Sequence, residues 1–424
     1  MVGIQADTER RARIAILGAG YAGATAAIAL QRLGALDISV FDGASALREV
    51  GASIGLQACA LRALDKLGLG DAVEEIAYRH GSQPLTHRHW KTGEVQPTPL
   101  PDPLPEERHQ MARFARAHLH QLLLSRVEAP VQVGKRAKEV VVGEEGVRVT
   151  FADGTTWEGD AVIGADGIHS ATRKAFYPDF KIDPGNGVTL RGIFDASLLE
   201  GTDGVDLPKE SCHWLGPDRA FFTSPLKRGL YAHVAFLPNH LIPSVTREWD
   251  ATTDIDYAAL YAHWYPPLAA LTRVAPEVRV FPDYNGPALP SLVVGGGRGV
   301  LLGDAGHCHG GAFAAGGTLA IEDAYTLGLA VQAALERARA RGQRLGAADL
   351  AFAFDLFDKA RLAHVNRLLR AANDLRKAKK HTEGQVLTEE DIEAYVHRHV
   401  DISWVSDNDA DAVFAKVLAE AGGV

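Results

Sequence analysis

The feature that most constrains the fold of this chain is a glycine-rich turn near its start, Gly18-Ala19-Gly20-Tyr21-Ala22-Gly23. It directly follows an apolar, strand-like run and opens a helical pattern. In a βαβ unit of this kind, Gly18 permits the tight turn, Gly20 lets the backbone approach a pyrophosphate, and Gly23 lets the helix pack on the strand. We therefore expect these three glycines and Ala22 to contact a dinucleotide at the helix N-terminus.

An acidic residue follows at the spacing that such a unit requires. The next strand-like run ends at Asp42, which comes 22 residues after Gly20 (42 − 20). A carboxylate at the end of that strand can accept hydrogen bonds from the hydroxyls of a ribose. The pattern predicts a nucleotide-binding βαβ unit, and the alternative is a glycine-rich packing turn without a ligand.

The composition is that of a folded protein. Of 424 residues, 46% are hydrophobic and 23% are charged, which excludes a disordered chain, a collagen-like repeat and a coiled coil. The three cysteines lie far apart, so no disulfide framework is expected, and no apolar run reaches the roughly 18 residues of a membrane span. The net charge of −9 argues against a nucleic-acid partner. We expect a cytoplasmic protein with no integral membrane span.

The glycine-rich turn does not separate NAD from FAD, but two later motifs do. The run 164–173 reads GADGIHSATR and contains Asp166-Gly167, and the run 301–307 reads LLGDAGH and contains Asp304. With the turn at 18–23, they resemble in order and spacing the motifs of the single-component FAD-dependent aromatic hydroxylases. That family includes salicylate, hydroxybenzoate and hydroxynicotinate monooxygenases. An Asp-Gly pair alone would be a plain turn.

The resemblance implies a role for each of these motifs. Asp304 would bind a ribityl hydroxyl of FAD. Asp166 and Gly167 would support FAD and the approach of NADH or NADPH. The helix start Gly316-Gly317-Thr318 would face the pyrimidine edge of the flavin, where a helix N-terminus stabilises negative charge.

Two arginines also match the family pattern, and one glycine differs from it. Arg48 matches a stretch that approaches the flavin, and Arg116 matches an arginine that meets the FAD diphosphate, although both could be exposed helix residues. Gly311 stands where the family usually has a proline. We expect the substrate end of the site to differ from that of its relatives there.

The order of strand-like and helical runs predicts an α/β fold. We expect a Rossmann-type FAD-binding domain assembled from discontinuous segments, a mainly β substrate domain and C-terminal helices. A helical pattern is predicted over 113–126. The assigned segments are 1–85, 106–185 and 285–380 for the FAD-binding domain, 86–105 and 186–284 for the substrate-binding β domain, and 381–424 for a helical tail.

The activity that the resemblance implies is that of an FAD- and NAD(P)H-dependent monooxygenase. It would hydroxylate an electron-rich aromatic or N-heteroaromatic substrate through a flavin C4a-hydroperoxide, with a small aromatic substrate and O2 as partners. We expect a monomer or a homodimer. Two alternatives remain open: another flavoprotein oxidoreductase, halogenase- or reductase-like, and a non-enzymatic escort or binding protein on the same scaffold. The halogenase pattern W-x-W-x-I-P is absent.

Such an enzyme needs a dry pocket and a base, for which histidine is suited. The strand-like run 230–236 places Tyr231 and His233 on one face by the two-residue period, and His213 lies on a neighbouring run. We expect these three residues to be the catalytic groups. The histidine that some family members carry just after the stretch 51–54 is Gly55 here, so no base carries over.

The candidates for substrate binding are Arg191, Phe222, His307, His309 and Gly311. Arg191 could hold a carboxylate bidentately, although a strand arginine is as often part of a surface ion pair. Several histidines occur in HxH pairs, but no third ligand lies at a typical spacing. We expect no bound metal.

Overall fold

The structure is a computed structural model that describes residues 11–47, 52–80, 85–96, 105–143, 146–202, 207–246, 248–276, 278–381, 386–397 and 403–422. The strands are β1 Ala12–Leu17, β2 Leu36–Phe41, β3 Ser53–Leu56, β4 Thr86–His89, β5 Val95–Gln96, β6 Ala112–Ala115, β7 Val131–Gln132, β8 Ala137–Val142, β9 Val147–Phe151, β10 Thr156–Gly159, β11 Ala161–Gly164, β12 Gly187–Asp195, β13 Cys212–Leu215, β14 Ala220–Pro225, β15 Leu230–Pro238, β16 Ala251–Thr252, β17 Arg279–Pro282, β18 Val293–Val294 and β19 Gly299–Leu301. The α-helices are α1 Tyr21–Gln31, α2 Ala58–Lys66, α3 Gly70–Glu74, α4 Arg116–Leu124, α5 Ala171–Phe176, α6 Tyr257–Leu260, α7 Pro266–Val274, α8 Gly316–Ala340, α9 Ala347–His381, α10 Glu389–His397, α11 Ser403–Ser406 and α12 Ala410–Glu420.

A six-stranded sheet in the order β18-β19-β11-β1-β2-β7 carries the glycine-rich turn. All neighbouring strands in it run parallel except β18, which is antiparallel to β19. Strands β11 and β19 come from distant parts of the chain and line up beside β1, so that their carboxyl ends meet at one edge. This is the strand order of a Rossmann-type sheet, and it confirms the predicted α/β class.

Helices α1 and α8 pack closely together against this sheet. Every residue of α1 from Tyr21 to Leu30 is buried, which explains why its sequence is apolar on all sides. Small residues allow the helices to approach: a Cβ built on Gly328 would lie 3.0 Å from the Cβ of Ala29. Helix α9 contributes Phe354 and Phe357 to the same core.

A second sheet has eight strands in the order β16-β17-β12-β15-β14-β13-β4-β5. Its described strand pairs are antiparallel except β13 with β4. One face covers an aromatic core that includes Trp214, Phe221 and Tyr261. The other face approaches the loop before α8, where Arg191 lies near Gly311.

Strands β3 and β6 form a short antiparallel ribbon in which Gly55 lies opposite Arg113. The sequence pattern predicts a helix from residue 113, but the structure has a strand there, and α4 begins only at Arg116. Arg113 also exchanges two backbone hydrogen bonds with Tyr78, at 2.9 and 3.0 Å. Pairing on both sides therefore overrides the local helical pattern.

The C-terminal helices contact the surroundings of both sheets. The carboxylate of Glu389 on α10 lies 2.7 Å from Nε2 of His89 on β4. The Tyr325 hydroxyl on α8 donates a hydrogen bond of 2.7 Å to Asp411 on α12. Within the described ranges, no helix combines the length and apolar character needed to cross a membrane.

The loop at 310–315, which leads into α8, has an unusual backbone. Gly310 and Gly311 have φ values of +66° and +70°, and Phe313 and Ala314 follow at 59° and 52°. A left-handed backbone suits glycine but costs a residue with a side chain about 1–2 kcal/mol. Strain of this kind collects at functional sites, and here it lies beside the position where Gly311 replaces the family proline.

We predict that Ala314→Gly stabilises the protein. Ala314 is exposed, so the substitution removes no packing. Relief of about 1–2 kcal/mol of left-handed strain outweighs the backbone entropy of glycine, about 0.5–1 kcal/mol. The midpoint of urea unfolding should rise. Ala312→Gly is the matched control, because Ala312 has no positive φ and its substitution should lower the midpoint. Equal shifts in the two variants would contradict the strain.

Candidate active site

The turn at 18–23 is closely packed at two glycines and open at the third. Gly18 has φ +103°, and a Cβ built on it would overlap the carbonyl oxygen of Ala165. A Cβ on Gly23 would overlap the carbonyl oxygen of Gly18. Beside Gly20, no described protein atom lies within 4 Å of the corresponding point, and α1 has no side-chain cap. This space and the unpaired amides of the first helical turn fit a diphosphate.

Asp42 supports the same turn from the end of β2. Its carboxylate accepts hydrogen bonds from the backbone amides of Ala19 and Ala44, both at 2.8 Å. A carboxylate has about four acceptor sites, so Asp42 can hold the turn and still accept a hydrogen bond from a ribose hydroxyl.

Arg116 brings a positive charge to the start of α1. Its guanidinium carbon lies 5.3 Å from the centre of the Tyr21 ring, and Tyr21 is the first residue of that helix. Ala22 is buried in the same helical turn. The structure therefore brings the turn, Ala22 and Arg116 together. The predicted contact of Arg48 lies outside the described residues.

Arg173 links the two later motifs, and the sequence reasoning gave it no role. Its Nη1 donates hydrogen bonds to the backbone carbonyls of Asp304 and Ala305, at 2.9 and 3.0 Å. The Asp304 side chain is exposed, and no described residue donates a hydrogen bond to its carboxylate. Asp304 is thus fixed by its backbone and keeps a carboxylate available for a hydroxyl group.

Asp166 shapes the loop that it belongs to. Its carboxylate accepts hydrogen bonds from the backbone amide and the hydroxyl of Thr172, at 3.0 and 3.1 Å, and from the hydroxyl of Ser170. The next residue, Gly167, has φ +72°. The Asp166 carboxylate therefore holds the turn that presents Gly167.

The start of α8 forms one wall of the site. Ala315 precedes the helix without a side-chain cap, which leaves the first amides of α8 for a ligand. A Cβ on Gly317 would overlap Cδ1 of Ile54 on β3. The Thr318 hydroxyl accepts a hydrogen bond of 3.1 Å from the backbone amide of Gln57. Gly316, Gly317 and Thr318 thus offer backbone groups, while the Thr318 side chain anchors the helix.

A buried network of charged side chains lies behind Asp304. One oxygen of Asp323 accepts a hydrogen bond from the Gly303 amide at 3.0 Å and lies 2.6 Å from Nε2 of His307. The other accepts one from Nε of Arg361 at 2.9 Å. Nη1 of Arg361 lies 2.8 Å from the Glu322 carboxylate. Two carboxylates, an arginine and an imidazole are thus buried together.

This network corrects the expectation for His307. Burial alone would raise the pKa of Asp323, but the charges of His307 and Arg361 and the hydrogen bonds it accepts hold that pKa well below its usual range. His307 is buried and bound to Asp323, so it holds the loop rather than a substrate. The sequence shows Glu322 and Asp323 after the motif, but nothing in it marks Arg361 as their partner.

His309 remains beside the helix start. It is buried, and neither of its ring nitrogens has a hydrogen-bond partner among the described residues. Its Nε2 lies 3.5 Å from the point where a Cβ on Gly316 would be. Burial lowers its pKa to about 4, so the ring is neutral. In the described part of the chain, no three His, Cys, Asp or Glu side chains form a group that could hold a metal ion.

Three of the other candidates share one face of the eight-stranded sheet. His213, Phe222, Val234 and Arg191 lie directly opposite one another on adjacent strands, and directly opposed residues point to the same side of a sheet. Nη2 of Arg191 lies 3.9 Å from the point where a Cβ on Gly311 would be. This face therefore meets the loop that leads into α8.

Tyr231 and His233 share a face, as the sequence predicts, but it is the opposite one. Nδ1 of His233 lies 2.8 Å from the Tyr257 hydroxyl, and burial lowers the pKa of His233 to about 3. The Tyr231 hydroxyl donates to the Pro208 carbonyl at 3.3 Å. Both side chains lie in or beside the aromatic core, so the structure does not bring them to Arg191. A two-residue period assigns shared faces, but it does not tell which face meets the cofactor domain.

We predict that Gly20→Ala and Gly23→Ala fail in different ways. Gly20→Ala should cost at most about 1 kcal/mol of stability, but it should weaken FAD binding about tenfold or more, because the new methyl group enters the diphosphate space. Gly23→Ala should destabilise the FAD-free protein itself by about 3 kcal/mol, because its Cβ meets backbone. Thermal unfolding without FAD and fluorescence titration with FAD separate the two effects. Loss of stability in Gly20→Ala would contradict this assignment.

We predict that Asp323→Asn destabilises the protein by about 3–5 kcal/mol, because it breaks a buried ion pair and removes one of the two carboxylates that compensate the charge of Arg361. FAD retention on gel filtration should fall with it. Asp355→Asn is the control on α9: its partner Lys359 is 2.6 Å away, and both side chains are 55% exposed. That variant should change stability by less than about 1 kcal/mol. An equal loss of stability in the two variants would show that the buried network contributes no more than an exposed ion pair.

Comparison with known proteins places this site in a family. A family model described as an FAD binding domain matches residues 11–192. The 6-hydroxynicotinate 3-monooxygenase of Bordetella bronchiseptica is 30% identical over 85% of this chain and 91% of its own length. The 3-amino-4-hydroxybenzoate 2-monooxygenase of Streptomyces cremeus is 33% identical over 75% of this chain and 78% of its own.

Solved structures have the same fold. A salicylate hydroxylase substrate complex covers 96% of this chain and 98% of its own, with a TM-score of 0.75 and 21% identity. HpxO of Klebsiella pneumoniae, complexed with FAD and uric acid, covers 97% of each chain with a TM-score of 0.72 and 24% identity. The predicted family and cofactor are thereby confirmed. The chain belongs to the single-component FAD-dependent aromatic hydroxylases and is an FAD-dependent monooxygenase.

Proposed function

We propose that this monooxygenase hydroxylates an aromatic or N-heteroaromatic acid, and that Arg191 binds the carboxylate of the substrate. The observation that carries this proposal is the setting of Arg191. Its Nε donates to the Thr189 hydroxyl at 2.9 Å, and its guanidinium carbon lies 4.7 Å from the centre of the Phe281 ring. No described carboxylate lies within ion-pair distance of it.

The charge balance at Arg191 favours an anionic ligand. Desolvation and the nearby positive charge of Arg116 lower the pKa of Arg191 to about 10, and Asp283 only partly offsets them. At neutral pH the guanidinium is still charged. A cation held out of water beside another cation is stabilised when a carboxylate binds it through two parallel hydrogen bonds.

The relatives support the same substrate class. Three of them are named for 6-hydroxynicotinate, 3-amino-4-hydroxybenzoate and salicylate, and each of these compounds is an aromatic acid with a ring hydroxyl. A further relative, from Klebsiella pneumoniae, is named as a urate hydroxylase. Urate is an N-heteroaromatic compound without a carboxylate, so it makes a useful test compound.

The chemistry divides between the cofactor and the chain. FAD, when bound, supplies the redox chemistry by which NAD(P)H and O2 convert an aromatic C–H to C–OH, with NAD(P)+ and water as the other products. The open space at Gly20, Arg116 and Asp304 would hold it. The free amides of α8 stabilise negative charge at its N-terminus. The face with Phe222 and Val234 excludes water from the ring.

The larger organisation follows from the same proposal. The FAD-binding part would comprise 1–85, 106–185 and 285–380, and the substrate part 86–105 and 186–284. We further propose a cytoplasmic enzyme that is a monomer or a homodimer, for which light scattering on the FAD-loaded protein is the test.

We predict that Arg191→Met raises KM for aromatic acids roughly ten- to hundredfold, which corresponds to losing one charged hydrogen-bonded contact. The KM for the matching phenols without a carboxylate should change little. Substrate-stimulated NAD(P)H oxidation and O2 uptake by the FAD-loaded enzyme measure both. Arg148→Met is the control, since Arg148 is exposed on β9 and pairs with Glu158.

Two results would count against this proposal. Stimulation by neither acids nor phenols nor urate would contradict the substrate class. An equal loss for acids and phenols in Arg191→Met would show that Arg191 supports the fold rather than the carboxylate.

A further inference from the structure

The Arg113 side chain fills the space beside Gly55 across the ribbon of β3 and β6. They lie directly opposite each other, and a Cβ built on Gly55 would overlap Nη1 of Arg113. The same Cβ would lie 3.1 Å from Cε of Met111. Position 55 is where some family members carry a histidine, so in this chain a guanidinium from the opposite strand occupies the volume that a side chain at 55 would enter.

Arg113 is buried, and no described residue forms an ion pair with it. It is 9% exposed, and its Nε has no hydrogen-bond partner among the described residues. Its guanidinium carbon lies 4.8 Å from the centre of the Phe222 ring. Desolvation lowers its pKa to about 10, so the group keeps its charge at neutral pH. A buried donor without a partner is costly unless a ligand satisfies it.

Arg113 belongs to the ribbon of β3 and β6, and its guanidinium packs against Phe222 on the face of the eight-stranded sheet that also carries Arg191. Phe222, beneath Arg113, is opposite Val234, which is opposite Arg191. Two strand spacings separate Phe222 from Arg191, or about 10 Å between their Cα atoms. Arg113 therefore contacts this face two strands away from Arg191, and the apolar side chains of Phe222 and Val234 lie on the same face.

We infer that Arg113 is a second substrate-binding arginine, which binds an anionic oxygen on the ring away from the carboxylate held by Arg191. The substrate is then an aromatic acid with two anionic groups. This inference rests on the proposed function and names its substrate more closely. The second oxygen belongs either to an ionised ring hydroxyl or to a second carboxylate, and both present the same oxyanion to the guanidinium.

A purely structural role is the competing explanation. The contact with Phe222 is a cation–π interaction, which stabilises an arginine without any ligand. That role leaves the Nε group without a hydrogen-bond partner among the described residues. It also predicts that loss of Arg113 affects every ligand equally, whereas binding of an oxyanion predicts selectivity.

The first experiment measures ligand binding to the FAD-loaded enzyme through the change in flavin absorbance. The probes are benzoate, with one anionic group, 3- and 4-hydroxybenzoate, and isophthalate and terephthalate. Arg113→Met should weaken the binding of one or both two-group classes on the order of tenfold and leave benzoate nearly unchanged. Arg113→Lys should restore part of the loss. Arg126→Met is the control, since Arg126 is exposed just after α4.

The results distinguish a failure of the inference about Arg113 from a failure of the proposed function. A selective loss for the hydroxybenzoates identifies a ring hydroxyl, and a selective loss for the dicarboxylates identifies a second carboxylate; either supports the inference. Equal effects on all probes, or no effect, overturn it and leave Arg191 untouched. If Arg191→Met does not weaken benzoate, or if no probe binds the wild-type enzyme, the proposed function fails and the inference fails with it.

The second experiment tests whether the Arg113 guanidinium fills the space beside Gly55, and it needs no substrate. Gly55→His alone should lower the thermal midpoint of the FAD-loaded enzyme, because its side chain collides with Arg113. Combined with Arg113→Ala, the same substitution should recover most of that loss, measured against Arg113→Ala alone. Wild-type stability in Gly55→His would show that the guanidinium does not fill this space, and would overturn the inference.

Discussion

The geometry of this active site depends on the buried carboxylate of Asp323. Its partners come from three parts of the chain: the Gly303 amide after β19, His307 in the following loop, and Arg361 on α9. Breaking a buried charge pair is costly, so these contacts hold the three segments together. The end of the sheet, the loop and α8 are thereby fixed relative to each other.

Fixing these segments also fixes the groups that meet the flavin. Asp304 follows Gly303 directly, and Arg173 ties its carbonyl to the neighbouring loop. Helix α8 carries Asp323 and begins with the free amides of Gly316 and Gly317. The chain's own contacts therefore shape the cofactor site, and what they leave open is what FAD would fill.

The sequence predicts well what is encoded locally. The glycine-rich turn, Asp42, Asp166-Gly167 and Gly303-Asp304 each combine backbone demands with a short spacing. The fold followed from the order of these elements, and the choice of FAD followed from the family resemblance that the motifs carry. The substrate side was predicted poorly, because it is assembled from opposed strands. Alternation places Tyr231 and His233 on a common face, but the choice of face depends on the aromatic core formed with Tyr257, which lies further along the chain.

Arg113 is a second residue whose surroundings could not be predicted from the local sequence. Its local pattern is helical, and only pairing with Gly55 and Tyr78 makes it a strand residue. Along the chain, Gly55 stands where some family members have a histidine, and nothing marks Arg113 as its neighbour. Across the ribbon, the guanidinium of Arg113 fills the space beside Gly55, so a permanent cation lies next to this position. A permanent cation stabilises an anion that is already ionised, whereas a base creates one. With Arg113 and Arg191 in the roles that we propose, the active site would select its substrate by charge.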